Sequence, residues 1–369
     1  MLTKADDYPI HQTPDPIAYA GTDRNFYDRF FFNGYSADGS LFFAAAFGVY
    51  PHHGIMDGAF SFVADGIQHS VFASRTFQME RLDIHAGPIS IEIVEPLVRN
   101  RFRCAKNEHG LSCDLMFTRR TVPMEEPRFN YKIGPRTFMD LTRMTQHGTW
   151  EGWIEVNGRR YEVGEGWRGT RDRSWGVRPI GPSEWRPDAA PFQFFWQWAP
   201  VNFDDVGILY DVNETADGRQ WHTNGVVAPV IGSGANSDEP EPMKSVSQTI
   251  QFKSGTRHAA SSTIMLTPWR AEPYEITFEP LWNFYMLGIG YGHPEWAHGT
   301  FKGPLAVGGE RIELAKVDER LPQFQHIQAI CRVRMKGDGK VRDGIGVLEQ
   351  LIVGPHEPSG FRDILDMAP

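Results

Sequence analysis

The sequence predicts an all-β protein made of two successive antiparallel units. Three observations carry that expectation. Short runs of aromatic and β-branched residues recur along the chain, separated by Asp-Gly, Asn-Gly or Gly-rich turns, while amphipathic helical patterns are scarce. The length, 369 residues, exceeds one small domain and suits two. A faint internal repeat relates the halves: 42–68 (FFAAAF…VADGIQ) aligns without gaps on 194–220 (FFWQWA…TADGRQ).

The strand signals run in order from YSADGSLFF and FSFVADGIQHSVF through IEVNGRRYEV and LYDVNETADGRQWHT to VRMKGDGKVRDGIGVLEQLIVG. Asp-Gly and Asn-Gly suit hairpin turns because the central residues of such turns need positive φ. Antiparallel hairpins in series point to barrels or sandwiches. The Pro-rich stretch GPSEWRPDAAP (181–191) reads as the connector. It divides the chain into a first unit, residues 1–185, and a second, residues 186–369.

Composition excludes several classes. Lys plus Arg number 37 against 46 Asp plus Glu, a net charge of −9. A general nucleic-acid binder needs a basic face for phosphates, so none is expected. Charged residues are 22% with no long single-sign run, which argues against disorder. The longest apolar stretch, LFFAAAFGVY (41–50), falls short of the roughly 18 residues a transmembrane helix needs. The N-terminus MLTKADDYPIHQTPD lacks an apolar signal core, so a soluble, cytoplasmic protein is expected. Cys104 and Cys113 flank the turn KNEHG and face each other across a hairpin in this reading; with Cys331 they are read as reduced thiols.

Five stretches hold residues suited to chemistry. In GWRGTRDRSWGVRP (166–179), strand alternation puts Arg171, Arg173 and Trp175 on one face and Asp172 and Ser174 on the other. Two readings stand. One is an Asp–Arg clamp with Trp175 filling a seam. The other is Asp172 as a proton donor on a cavity, its pKa raised by aromatic burial or lowered by a paired arginine. In PFQFFWQWAP (191–200), Phe192, Phe194, Trp196 and Trp198 form one aromatic face, and Gln193, Phe195 and Gln197 the other. Either lines a barrel lumen for an apolar ligand or packs as core. The aromatic content, 13%, tilts the balance toward a ligand cavity.

In GVYPHHGIMDG (48–58), adjacent His52 and His53 point to opposite sides of an extended strand and do not share one metal. One of them, or Asp57, serves as a polar pocket wall; otherwise these are turn residues. GYGHPEWAHGTFKG (290–303) spaces His293, Glu295 and His298 as H-x-E-x-x-H, not the helical H-E-x-x-H of zinc proteases. Pro294 and the glycines argue for a structured loop over a barrel mouth. In GIGVLEQLIVG, Glu349 sits among apolar residues and needs a partner, such as an arginine of 166–179, or a function. G-x-S-x-G, P-loop, dinucleotide and C-x-x-C signatures are absent, so no metal and no cofactor is expected.

The segment GTRDRSWG is similar to the Trp-x-Asp-(His/Arg)-x-Trp-Gly segment of a lipocalin-like tandem-barrel superfamily. That superfamily includes hydroxyneurosporene synthases (carotenoid hydratases), AttH-type proteins, kievitone hydratase and fungal decalin-forming Diels–Alderases. Asp172, Arg173, Trp175 and Gly176 match the segment; Thr170 stands where the pattern has Trp. YPHHGIMDGAFSFVADG and GYGHPEWAHGTFKG also resemble bacterial members. The resemblance implies two lipocalin-like (calycin) antiparallel β-barrels in tandem, with Asp172 as the acid that protonates an alkene. The expectation is an enzyme hydrating, dehydrating, isomerising or cyclising a terpenoid, steroid or polyketide. Trp175, Trp196, Trp198 and Tyr210 would shape the pocket, with His52, His53, Asp57, His293 and Glu349 as further contacts. A non-catalytic lipid or isoprenoid carrier is the alternative, and a homodimer is allowed.

Overall fold

The computed structural model describes residues 2–10, 23–77, 80, 82–181, 192–235 and 237–369. Apart from Gly181, the expected connector lies outside them. The described residues form strands joined by turns and a few single-turn 3-10 segments. None of their helices is long and apolar enough to cross a membrane.

The strands are, in order, β1 (Phe26–Tyr35), β2 (Phe42–Tyr50), β3 (Ile55–Ala64), β4 (Ile67–Thr76), β5 (His85–Ala86), β6 (Ile89–Glu95) and β7 (Arg99–Cys104). Next come β8 (Leu111–Arg119), β9 (Met124–Glu125), β10 (Phe129–Ile133), β11 (Arg136–Val156), β12 (Arg159–Val163) and β13 (Arg168–Val177). The second half holds β14 (Phe194–Asn202), β15 (Val206–Glu214), β16 (Gln220–Pro229), β17 (Glu241–Pro242), β18 (Ser245–Phe252) and β19 (Ala259–Thr267). It continues with β20 (Tyr274–Tyr285), β21 (Leu305–Glu313), β22 (His326–Gly337) and β23 (Lys340–Val353). The Asp-Gly and Asn-Gly signals do what their chemistry demands. Asp65–Gly66, Asn157–Gly158 and Asp338–Gly339 all take positive φ and close the β3–β4, β11–β12 and β22–β23 hairpins.

The chain divides into two compact units. The first comprises Met1–Ser36, Ser40–Ser183 and Gly288–Glu313; the second comprises Ala37–Gly39, Glu184–Leu287 and Leu314–Pro369. The first is a nearly closed barrel, with main strand order β21-β4-β3-β2-β1-β13-β11-β8-β7-β6-β5. Its lumen is packed with its own side chains. Trp150 lies at ring distances of 5.0 Å from Phe43, 5.2 Å from Phe117 and 5.7 Å from Phe32. Its indole N–H donates to the Asn33 carbonyl at 2.8 Å. Phe30, Phe47, Phe60 and Phe102 complete this core. Aromatics that touch one another at these distances pack the barrel interior as core. Cys104 and Cys113 are direct cross-strand partners here, both free and buried. Burial pushes the Cys104 thiol up to about 12.

The second unit is a half-barrel, with order β17-β16-β15-β14-β23-β22-β20-β19-β18. Register puts Phe195, Gln197 and Tyr210 on its interior face, together with Ile264, Ile276, Val333 and Met335. Trp196, Trp198 and Glu349 share the opposite face and are buried there.

The two sheets repeat one topology, but with a different pairing from the gapless alignment. In the first unit the run is β3-β2-β1-β13-β11-β8-β7-β6; in the second it is β16-β15-β14-β23-β22-β20-β19-β18. In each run, the first long strand in the chain pairs with the last: β1 with β13 and β14 with β23. The equivalent of β14 is therefore β1, not β2. Phe-Phe pairs occur in both β1 and β2, so local similarity slid the alignment by one hairpin strand.

Candidate functional site

Strand β13 resolves the charged motif into two faces. Arg171 and Arg173 stand opposite Phe32 and Phe30 of β1 and so point into the first barrel. Both are fully buried. Arg171 donates to both Asp7 carboxylate oxygens, at 2.5 and 3.2 Å, and to Gln146 Oε1 at 3.0 Å. Arg173 donates to the Arg29 and Tyr8 carbonyls at 2.7 and 2.9 Å and lies 2.6 Å from Asp28. Its guanidinium sits 3.9 Å over the Phe30 ring. A clamp exists, but its acids are Asp7 and Asp28, and it holds the N-terminal segment to β13. A buried guanidinium needs such satisfied partners to be tolerated at all.

Asp172 lies on the other face, half-buried, between Phe31 of β1 and Thr145 of β11 in register. Burial raises the Tyr27 pKa, Arg178 and the Ser174 hydroxyl oppose that, and the nearby Asp172 carboxylate adds to the rise. Arg178 stacks 4.5 Å over Tyr27. Trp175 is half-buried on the arginine face.

The face that carries Asp172 also carries a polar cluster around Arg29 and Asp57. Arg29 of β1 and Asp57 of β3 flank Gly48 of β2 in register. Residues 288–304, which include the GYGHPEWAHGTFKG stretch, pack across this outer face of the strands rather than over a barrel mouth. The Gly299 N–H donates to Asp57 Oδ2 at 2.7 Å, and the Ser74 hydroxyl to the Thr300 carbonyl at 3.3 Å. Arg29, 1% exposed, puts Nη2 2.7 Å from His298 Nε2 and its guanidinium 4.6 Å over the Tyr291 ring. Its Nε and Nη1 have no acceptor among the described residues. Burial raises the Asp57 carboxyl to about 6, against the lowering effects of the Gly299 amide, the Arg29 charge and the Tyr50 hydroxyl. A carboxyl near 6 exchanges protons readily around neutral pH.

Asp57 and His298 also line one small cavity, with Ser74, Thr300, Trp296 and Phe72 in its wall. Its volume is about 10 Å³, the space of a single water.

The remaining predicted residues fall into separate places. His53 borders this region, and burial lowers its pKa. His52 is exposed on the same turn. His293 caps its own loop, with Nδ1 accepting from the Glu295 and Trp296 amides at 3.0 and 2.9 Å. Glu295 is exposed, so His293, Glu295 and His298 do not converge. In the second unit, Glu349 accepts from Trp196 Nε1 at 3.0 Å, His326 Nε2 at 2.8 Å and Gln328 Nε2 at 2.6 Å. The partner of that buried acid is this histidine–amide–indole set rather than an arginine. Trp198 shares the face of Glu349, while Tyr210 points to the interior, its hydroxyl 3.4 Å from Gln197 Oε1.

Sequence reasoning missed Arg29, Tyr50 and Tyr291. Arg29 had a signal of the kind that flagged Glu349: in FYDRFFF a charge sits inside an apolar run.

The model of a family of unknown function (DUF8625) matches residues 2–362. The chain belongs to that family. No curated protein matches the sequence. Solved structures share the fold, among them the following three. A putative AttH from Nitrosomonas europaea is 13% identical, with TM-score 0.54, covering 88% of this chain and 92% of that one. Kievitone hydratase from Nectria haematococca is 12% identical, with TM-score 0.51 and 88% of each chain covered. CghA is 9% identical, with TM-score 0.52, covering 90% of this chain and 89% of that one. The expected resemblance to the tandem lipocalin-like barrels holds at the level of fold.

Proposed function

We propose that this family member is an acid/base enzyme that adds water to, or removes it from, a double bond in a small apolar molecule, with Asp57 carrying the proton. The observation behind this reading is a carboxyl poised at about 6 on the wall of a cavity sized for one water. Protonated Asp57 gives its proton to one alkene carbon. The water oxygen bonds to the other carbon, and the proton it sheds returns to the Asp57 carboxylate. The reverse sequence eliminates water, and protonation followed by loss of a different proton shifts the double bond. The name of the structurally similar kievitone hydratase fits this chemistry.

Asp172 supports a second reading of the same reaction. It shares the sheet face with Asp57, and its charge reaches Tyr27. The test is turnover of a panel of unsaturated terpenoids, steroids and polyketides in isotopically labelled water, read by mass spectrometry. Asp57→Asn is expected to lose roughly 10²–10⁴-fold in rate, the usual worth of a placed acid. Asp172→Asn is expected to lose less than about tenfold. The opposite ranking transfers the acid to Asp172. Ligand binding by tryptophan quenching with no label incorporated into any panel member overturns catalysis in favour of a carrier.

A further inference from the structure

The contact between Arg29 and His298 fixes more than a loop. An arginine side chain has donors only and keeps its charge in proteins. At 2.7 Å from Arg29 Nη2, the Nε2 atom of His298 must therefore be the acceptor. A ring whose Nε2 accepts carries its one proton on Nδ1 and is neutral. Protonating it would set two N–H groups, and two positive charges, against each other at hydrogen-bond distance.

We propose that Arg29 is a positioning residue that locks His298 as the neutral Nδ1–H tautomer. His298 is thereby withdrawn from the proton chemistry of the Asp57 cavity. Its functional meaning rests on the reading of Asp57 as the acid; the tautomer itself does not. His298 and Asp57 wall the same cavity, and adjacent residues of one loop tie them to the sheet. Arg29 of β1 grips His298, while Asp57 of β3 takes the next residue's amide, Gly299 N–H. An imidazole there whose Nε2 is not held by Arg29 can take up a proton, and it would then compete for it with the Asp57 carboxyl on the same cavity wall. Locked, the pair gives one proton carrier and one fixed dipole. Tyr291 meets the His298 ring edge-on at 4.8 Å, and Arg178 lies 5.8 Å over Tyr291, adding a second positive charge that disfavours imidazolium. Tyr50 approaches Asp57 rather than His298.

The experiment is nitrogen-15 NMR of the histidine rings in the full chain, with His298→Gln assigning the resonance. Between about pH 5 and pH 8 the wild-type ring is expected to stay neutral, with the proton on Nδ1. In Arg29→Gln the ring is expected to take up a proton within that range, and in Arg29→Lys, also donor-only, to stay locked. A wild-type His298 that protonates in that range, or carries its proton on Nε2, overturns the proposal even if neither variant folds. Where turnover is measurable, the wild-type pH profile shows one ionisation near 6 and Arg29→Gln shows two. A failed hydration assay leaves the tautomer result intact, so the two readings fail separately.

Discussion

Replacing Asp57 by Asn should stabilise the protein above about pH 6 while removing the proposed activity. The magnitude follows from the carboxyl's position, raised from 3.8 to about 6 by burial. That rise, roughly a hundredfold in proton affinity, is worth about 3 kcal/mol, at about 1.4 kcal/mol per factor of ten. The sign follows from proton binding. From pH 3.8 to about 6 the folded state holds more protons than the unfolded state, so stability falls as pH rises. Above about 6 the whole penalty is present. It is an upper bound, because Asp57 is half-buried and solvent screens part of it. Asparagine removes the penalty and still offers an oxygen to the Gly299 amide, at a cost of about 1 kcal/mol for its new amide N–H donors in a half-buried place. The net gain is about 2 kcal/mol near pH 8 and under about 1 kcal/mol near pH 5. For a unit of this size the gain near pH 8 raises Tm by roughly 4–8 °C. Calorimetric Tm values of both proteins at the two pH values decide it. A pH-independent difference, or a variant that melts lower at pH 8, refutes the reasoning and makes Asp57 an ionised clamp for the Gly299 loop.

Two further substitutions probe the neighbouring structure. Asp7→Asn leaves the buried Arg171 without a counter-charge and should cost the first unit about 3–5 kcal/mol in urea unfolding. A loss below about 1 kcal/mol means that the clamp does not hold the N-terminal segment. Gly48→Ala places a methyl 2.2 Å from the Tyr50 hydroxyl and forces that ring away from Asp57. Losing a contact that lowers the carboxyl should move Asp57 above about 6 by carbon-13 NMR, and an unchanged value rules out the Tyr50 contribution.

The β class and its hairpins were legible because they depend on local chemistry. Asp65–Gly66 and Asn157–Gly158 announce their turns by residues that tolerate positive φ. The repeat was legible in kind but not in register, since Phe-Phe pairs mark more than one strand. Alternation gave the correct faces of β13, with Arg171 and Arg173 together and Asp172 opposite. It does not say which face is the inside of a barrel, nor that the acids of the clamp lie at Asp7 and Asp28. The cluster around Asp57 was half legible. Asp57, His53 and His298 were visible as polar residues in two glycine-rich stretches. That these stretches meet, and that Arg29 stands between them, is a long-range pairing with no local signature.

Three acids show why Asp57 rather than its neighbours in composition is the carboxyl raised toward neutral pH. Asp205 accepts from Arg342 at 2.7 and 2.9 Å and from Lys340 at 3.1 Å, and those charged donors pull its carboxyl far below the usual range. Glu349 is buried, which alone would raise it, yet His326, Gln328 and Trp196 hold it below its ordinary value. Asp57 is raised because burial outweighs the lowering effect of the uncharged Gly299 amide that donates to it. Arg29, the cation nearby, has spent its short contact on His298 and stacks on Tyr291, so it acts on Asp57 only through space. The same Asp-plus-Arg ingredients therefore give a locked ion pair in one place and a titratable acid in the other. Direct charged donors, not the mere presence of an arginine, decide between them. Moving the Arg29 guanidinium from His298 to Asp57 would turn the site into a second Asp205.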